Sequence, residues 1–262
     1  MKKIAIIGGG NIGGAIALGL QKGKLIPTAN ITISDLSEKT LDKFRAVTTD
    51  WKLTTSNRAA IEGADIIIIA VKPWLVESVA DEIGNKIDYK NQQIISIAAG
   101  VEYEKLIRMF DDKAVIFRVI PNTAIEVMES FSAIAPFNAS DEQVQLVKSI
   151  FDELGTTMIV NESQLVSLMT LSSSGIAFAF RYIRAAMEGA VEIGIYPNVA
   201  KDVILQTLRG AITLLETNQN HPEVEIDKVT TPGGITIKGL NEMEANGFTT
   251  AVIEGLKKSY VH

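Results

Sequence analysis

Through the first 160 residues of the chain, short apolar runs alternate with segments whose apolar residues recur at helical spacing. The run "DIIIIAV" at 65–71 is apolar on both faces, which is typical of a central parallel strand covered by helices. In segment 12–22, Ile12, Ile16 and Leu20 lie along one helical stripe. This alternation predicts an α/β fold with a Rossmann-type doubly wound sheet in residues 1–160. The predicted strands are "KIAII" (3–7), "ITIS" (31–34), "DIIIIAV" (65–71), "QIISIA" (93–98), "AVIFRV" (114–119), "FSAIAP" (131–136) and "TMIV" (157–160).

The β pattern ends after residue 160, and the remaining residues read as helices. Breaks fall near 194–197, at 221–222 and at 232–234, where Gly and Pro interrupt the helical pattern. The segment Gly175 to Ile195 is apolar on almost every side, which indicates a helix that is buried on most of its surface. A small domain cannot easily bury such a helix alone. We therefore expect residues 161–262 to form an all-helical domain that associates with a second subunit.

Composition narrows the possible partners of this chain of 262 residues. It contains no cysteine, which excludes disulfides, thiolate nucleophiles and cysteine-ligated metals, and no metal site is expected. The formal net charge of -6 gives no electrostatic footprint for a nucleic acid. No uninterrupted apolar run reaches the roughly 18 residues of a membrane span, and Met1 leads directly into a predicted strand. We expect a cytoplasmic protein with no membrane or nucleic-acid partner.

A glycine-rich loop, "GGGNIGGA", follows the first predicted strand and opens a helix. Its spacing is Gly8-x-Gly10-x-x-Gly13, which in this context indicates a dinucleotide site. Gly8 permits the tight turn, Gly10 lets a pyrophosphate approach the backbone, and Gly13 lets the helix pack on the sheet. Asn11 and Ile12 begin the helix, whose N-terminal amides attract phosphate. The first domain is therefore predicted to bind NAD or NADP.

Asp35 ends the second predicted strand, 22 positions after Gly13. A carboxylate there can accept hydrogen bonds from the adenosine ribose hydroxyls, which favours NADH over NADPH. Asp35 could instead cap the helix that starts near Ser37. The residue pattern alone leaves both roles open, and we take NADH as the preferred cofactor.

Two further strand ends carry candidate cofactor-binding residues, because ligands of such sheets bind at the carboxyl ends of the strands. The segment "AVKP" supplies Ala70, Val71, Lys72 and Pro73 after the third strand; Lys72 either approaches the cofactor or faces solvent. Asn122 follows a later strand. It could bond the nicotinamide region or only brace a turn.

Seven motifs in order give the chain a resemblance to the pyrroline-5-carboxylate reductase family over essentially its full length. The resemblance implies reduction of 1-pyrroline-5-carboxylate to L-proline with NADPH or NADH, the last step of proline biosynthesis. It also implies a Rossmann domain joined to a helical domain that dimerises, with dimers commonly assembled into decamers. The motifs are "GGGNIGGA", "AVKP", "SIAAGV" (96–101), "RVIPNT" (118–123), "LSSSGIAF" (171–178), "HPEVEIDKVTTPGGITIKG" (221–239) and "MEANGF" (243–248).

The Pro-Gly-Gly turn, 232–234, is the most specific part of this resemblance. Gly233 and Gly234 let backbone come close to a small ligand, and their amides would bind the substrate carboxylate. The resemblance implies that Thr236 hydrogen-bonds the ring nitrogen, with Thr231 in place of the usual Ser. Further substrate contacts are expected from the residues at the start of the long helix, which are Ser173, Ser174 and Gly175. Ser173 or Ser174 could equally act as the N-cap of that helix.

A few positions bear on the choice between this family and other functions. The β-hydroxyacid dehydrogenases place a catalytic Lys four residues after the last Gly of a similar helix start, and here that position is Ala179. The family usually has Pro where this chain has Ile176, and an acidic residue where it has Val166. These departures keep two alternatives open: a reductase of a related cyclic imine, and a dinucleotide-binding protein without catalysis.

Overall fold

The structure is a computed structural model that describes residues 1–260; His262 lies outside the described residues. The chain divides into two compact units, the first spanning Met1–Ser173 and the second beginning at Ser174. The first unit holds every described strand, and the second is helical. The predicted pairing of an α/β half with an all-helical half is therefore confirmed.

One eight-stranded sheet forms the centre of the first unit, in the order β3-β2-β1-β4-β5-β6-β7-β8. All neighbouring strands are parallel except the antiparallel pair β6 and β7. The order reverses at β1, which has β2 on one side and β4 on the other; this is the switch point where such sheets bind ligands. The strands are β1 Ile4–Ile7, β2 Ile31–Ser34, β3 Lys52–Thr54, β4 Ile66–Ile69, β5 Gln93–Ser96, β6 Val115–Ile120, β7 Ser130–Phe137 and β8 Gly155–Ile159.

Helices cover both faces of this sheet and create two hydrophobic cores. Successive residues of β4 alternate between them: Ile66 and Ile68 belong to one core, and Ile67 and Ile69 to the other. All four side chains are fully buried. A strand buried on both faces needs no polar residue in its interior, which explains the continuous isoleucine run. The helices are α1 Asn11–Lys22, α2 Glu38–Arg45, α3 Asn57–Ile61, α4 Val76–Ile83, α5 Tyr103–Met109, α6 Asp141–Asp152 and α7 Leu165–Met169.

The seven predicted strands are all present, with ends that differ by a few residues. The sequence prediction missed β3, Lys52–Thr54, which pairs with β2 at the edge of the sheet. Its three residues are exposed or half-buried, so the segment has too few positions to show a period of two.

Five helices make up the second unit. Only Ala200 among their residues is buried, and α8 has no buried residue at all. Large apolar side chains of α8, such as Phe180 and Val191, are left about half exposed or more. The expectation of a helix needing a partner surface fits this exposure. The helices are α8 Gly175–Glu192, α9 Pro197–Asn218, α10 Pro222–Lys228, α11 Ile235–Ala245 and α12 Phe248–Ser259.

The sequence predicts that the long helix begins at the serine segment. In the structure, the helix begins earlier. Helical turns run unbroken from Glu162 to Glu192 through a π-helical segment, Thr170–Ser174. Ser174 has helical dihedral angles and makes no side-chain capping bond. The N-capping reading of Ser173 and Ser174 is therefore wrong, because a helix that continues on both sides has no free N-terminal amides there.

The continuous helix from 162 to 192 is also long and apolar enough to cross a membrane, judged by length and composition only. The sequence predicts no such span, because Arg181 and Arg184 interrupt the apolar run within this helix. Only 11% of the most apolar stretch of the helix is buried within the single chain. That exposure calls for a covering surface and does not identify it.

An ion pair ties the beginning of this helical region to the sheet. Arg118 of β6 is almost fully buried and pairs with Glu162, which also accepts a hydrogen bond from the Tyr103 backbone amide at 2.7 Å. The Tyr103 hydroxyl donates to the Ala135 carbonyl oxygen, and burial raises the pKa of Tyr103 above its usual range. Leu165 of α7 is buried in the same core. These contacts place α7 in the first unit, whose end at Ser173 lies beyond the predicted boundary at 160.

Candidate dinucleotide site and substrate turn

The glycine loop after β1 has the shape that a dinucleotide requires. Gly8 has φ +101°, and a Cβ there would lie 2.7 Å from the Ala70 carbonyl oxygen. A Cβ on Gly13 would lie 2.0 Å from the Gly8 carbonyl oxygen, so α1 packs directly on the loop. A Cβ on Gly10 would meet nothing within 4 Å. The loop thus leaves open space at Gly10, which is the glycine that a pyrophosphate approaches. At Gly8 and Gly13, neighbouring atoms leave no room for a side chain.

Asn11 and Ile12 are the first residues of α1, and Gly10 caps the helix with extended dihedral angles and no side-chain bond. The first-turn amides of such a helix have no intrahelical partners. Together with the positive end of the helix dipole, they form a site for a phosphate group. The geometry fits a dinucleotide pyrophosphate at this helix start.

Asp35 faces the glycine loop. One carboxylate oxygen accepts a hydrogen bond from the Gly9 amide at 2.9 Å, and the other accepts from the Ser37 amide at 2.9 Å. The capping bond of α2 is made by Ser37, whose hydroxyl accepts from the Thr40 amide at 3.4 Å. The structure therefore separates the two roles left open by the sequence, with Asp35 beside the loop and Ser37 as the cap.

A pocket of about 190 Å³ lies beside Asp35 at the carboxyl edge of the sheet. Gly8 and Val71 line it on one side, and the apolar side chains of Leu36 and Leu75 also contribute. Its position next to the β2 carboxylate is where a Rossmann domain holds the adenosine of its cofactor. Two of its polar lining residues, Asn57 and Glu82, carry no motif that predicts them from the sequence.

The "AVKP" segment leaves the sheet beside the loop. The Ala70 amide donates to the Ile7 carbonyl oxygen at 2.8 Å, and its side chain lies where a Cβ on Gly13 would clash. Lys72 is exposed and does not line the adenosine pocket. Pro73 begins a 3₁₀ turn that leads into α4, as its fixed φ allows. Ala70 and Val71 thus have direct structural support as site residues, whereas Lys72 has a solvent-facing position.

Asn122 has an internal role. It is almost fully buried; its side-chain oxygen accepts from the Ala124 amide at 2.9 Å, and its amide nitrogen donates to the Ser172 carbonyl oxygen at 3.4 Å. Its backbone amide donates to the Ser130 hydroxyl at 3.1 Å. The side chain is thus engaged in bracing the turn and the π segment. Direct side-chain bonding to a nicotinamide is not supported.

The Pro-Gly-Gly segment forms a tight turn in front of α11. The Gly234 amide donates to the Thr231 carbonyl oxygen at 2.9 Å, and Gly233 has φ +73°, a conformation that favours glycine. Helix α11 begins at Ile235, and its cap, Gly234, contributes no side-chain bond. Among the described residues, the exposed Thr236 hydroxyl has no hydrogen-bond partner. The turn therefore presents the free first-turn amides of α11 together with a hydroxyl. The Gly234 amide, which the sequence assigned to the substrate carboxylate, is instead used within the turn.

Ser173, Ser174 and Gly175 are half-buried at the junction of the π segment and α8. The hydroxyl of the preceding Ser172 is buried and unpaired among the described residues. π-helical turns occur frequently at functional sites. No cluster of three or more potential metal ligands is present within the described part of the chain.

Comparisons with known proteins find matches to both halves of the chain. A family model for pyrroline-5-carboxylate reductase dimerisation matches residues 162–262, and one for coenzyme F420-dependent NADP oxidoreductases matches residues 3–100. Pyrroline-5-carboxylate reductase 1 of Dictyostelium discoideum is 36% identical over 98% of the chain, which spans only 48% of that longer protein. Pyrroline-5-carboxylate reductase of Methanosarcina acetivorans is 35% identical, with 98% of the chain and 97% of the relative covered.

A solved structure extends the similarity to the fold. The pyrroline carboxylate reductase of Plasmodium falciparum, a crystal structure with NADP bound, superimposes with a TM-score of 0.89 at 26% identity. The match covers 98% of this chain and 95% of the other. Fold and site define a Rossmann-type dinucleotide-dependent oxidoreductase with a helical dimerisation domain. The chain belongs to the pyrroline-5-carboxylate reductase family.

The open space at Gly10 generates a direct test of the dinucleotide site. We expect Gly10→Ala to leave the melting temperature nearly unchanged, because the added methyl meets no protein atom. It should weaken NADH binding about tenfold or more, since the methyl occupies space that the pyrophosphate needs. Calorimetric titration with NADH measures the effect, and Gly210→Ala, another site with free space and without a positive φ, is the control. Unchanged affinity in Gly10→Ala would place the cofactor elsewhere.

Proposed function

We propose that this chain reduces 1-pyrroline-5-carboxylate to L-proline by hydride transfer from NADH or NADPH, in the cytoplasm, as the last step of proline biosynthesis. The observation that carries the proposal is family membership across both halves of the chain: the relative from Methanosarcina acetivorans matches over nearly its whole length. The glycine loop supplies the physical basis for cofactor binding. A side chain at Gly8 or Gly13 would clash with the protein, whereas the space at Gly10 is free for the cofactor.

The substrate is a cyclic imine that carries a carboxylate. We assign the carboxylate to the Gly233–Gly234 turn and to the free first-turn amides of α11 behind it, since the Gly234 amide itself already donates to the Thr231 carbonyl oxygen. The Thr236 hydroxyl is assigned to the ring nitrogen. Thr231, Ser173, Ser174 and Gly175 are proposed as the remaining substrate contacts.

Reduction adds a hydride to the imine carbon and leaves a proton on nitrogen. The reduced nicotinamide supplies the hydride when it is bound. A ring imine enters readily in its protonated form near neutral pH, so the protein needs no strong acid at the nitrogen. This agrees with the one described histidine: His221 accepts a hydrogen bond from the Glu223 amide at 3.3 Å and caps α10. The protein's part is to position the imine and stabilise the charge that changes during reduction.

We expect Thr236→Ala to lower kcat while the dissociation constant for NADH stays nearly unchanged. The loss of one hydrogen bond to the reacting nitrogen should cost about 1–3 kcal/mol in the transition state, or about 5- to 150-fold in rate. Thr236→Ser, which keeps the hydroxyl, should retain most of the activity. Steady-state kinetics of proline formation measure both variants. If the Thr236→Ala enzyme kept the parental rate, Thr236 would have no part in the reaction and would serve only at the start of the helix.

The proposed cofactor preference is for NADH. It rests on the Asp35 carboxylate, which is held beside the loop by the Gly9 and Ser37 amides. At about 4 Å, a carboxylate and a phosphate repel by about 1–4 kcal/mol in partly wet surroundings. The relative from Plasmodium falciparum was solved with NADP, so the preference is a property proposed for this chain.

We expect purified protein to form proline from 1-pyrroline-5-carboxylate, with a Michaelis constant for NADH about tenfold or more below that for NADPH. Asp35→Ser should shift the preference toward NADPH, because it removes the charge that meets the 2′-phosphate. Spectrophotometric assays with each reduced cofactor measure both effects. Absence of proline with either cofactor would overturn the function; tighter use of NADPH by the parental enzyme would overturn only the preference.

The dimerisation-family match makes the protein a homo-oligomer, and we propose a homodimer as the basic unit, with dimers further assembled into a decamer. An apolar groove of about 630 Å³ between α8 and α12, lined by Phe178, Tyr182 and Val252, supports association through this half. We expect Tyr182→Glu to weaken the assembly, because a buried charge would lack a partner. Sedimentation equilibrium measures the mass. A stable 28.4 kDa parental monomer at micromolar concentration would contradict the proposal.

A further inference from the structure

The adenosine pocket holds a second carboxylate besides Asp35. Glu82, near the end of α4, lines the same pocket and is half-buried there. Within the described part of the chain, no lysine or arginine lines this pocket. Sites that accept a 2′-phosphate place an Arg nearby to neutralise it. This pocket combines two negative side chains with no cation.

Glu82 is held toward the pocket by a chain of hydrogen bonds. The Asn57 amide nitrogen donates to a Glu82 carboxylate oxygen at 2.7 Å, and the Ser34 hydroxyl donates to the Asn57 side-chain oxygen. Asn57 and Ser34 are both almost fully buried. Ser34 ends β2 directly before Asp35, so the network runs from one carboxylate to the residue beside the other.

The arginine that contacts Glu82, Arg58, does not line the adenosine pocket. Arg58 donates through its Nε to the Glu82 backbone carbonyl oxygen at 2.8 Å, not to the carboxylate. Arg58 lines a different depression, together with Lys86. The Glu82 carboxylate therefore has no ion-pair partner among the described residues, and it engages the amide of Asn57 that could otherwise donate to a phosphate.

We propose that Glu82 is a specificity-determining residue that, with Asp35, excludes the 2′-phosphate of NADPH from the adenosine pocket. Its charge repels the phosphate, and its bond to Asn57 withdraws an amide donor from it. This inference rests on the proposed dinucleotide site, and it adds to that site a residue of helix α4. Discrimination then depends on two carboxylates that line the same pocket, one directly after β2 and one on α4.

The test compares two nucleotides that differ only in the 2′-phosphate, adenosine 2′,5′-bisphosphate and 5′-AMP, by calorimetric titration without turnover. In Glu82→Gln the side chain keeps its shape and an acceptor for Asn57 but loses its charge. We expect this variant to bind the bisphosphate about tenfold more tightly relative to 5′-AMP than the parental protein does. The matched control is Asp81→Asn, which changes charge on the same helix at an exposed residue outside the pocket. Its ratio should stay within about twofold of the parental value.

The outcomes separate this inference from the proposed function. Equal shifts in Glu82→Gln and Asp81→Asn would overturn the inference, because the effect would then be one of overall charge. A shift in Asp35→Ser with none in Glu82→Gln would also overturn it, while leaving the dinucleotide site intact. If the parental protein bound neither nucleotide nor NADH at millimolar concentration, the dinucleotide site itself would fall, and the inference with it.

Discussion

The arrangement of the first unit depends on one constraint, the need to cover a parallel sheet on both faces. Because each parallel strand is followed by a crossover, the strands β1, β2 and β4 all end at the same edge. That edge brings together Gly8, Asp35 and Ala70, which are far apart in the sequence. The sheet topology therefore brings the glycine loop, the Asp35 carboxylate and Ala70 together in one site.

The two sites distribute charge in opposite ways. The pocket beside the glycine loop carries two carboxylates, Asp35 and Glu82, which suit the hydroxyl groups of an unphosphorylated ribose. The turn before α11 carries free amides and the Thr236 hydroxyl, which suit a carboxylate and an imine nitrogen. This distribution fits a chemistry in which the substrate brings its own proton. A chain with so few side chains that act as acids near neutral pH can therefore perform it.

The helical half illustrates a different solution to burial. The first unit buries its isoleucines within one chain, whereas α8 leaves apolar side chains such as Phe180 exposed. A surface of that kind is stable in water only when another surface covers it. The dimerisation model matches this half of the chain, which supports a second subunit as the covering surface.

The sequence by itself determined the local features. Periodicity predicted seven of the eight strands, and the glycine spacing predicted the loop, because both patterns are set by residues close along the chain. It did not determine that the serine segment lies inside a continuous helix, since a π turn carries no distinct local pattern. Nor did it show Asn57 and Glu82 beside Asp35. That meeting depends on the short edge strand β3 and on the packing of α3 against α4, contacts between distant segments that only the tertiary structure decides.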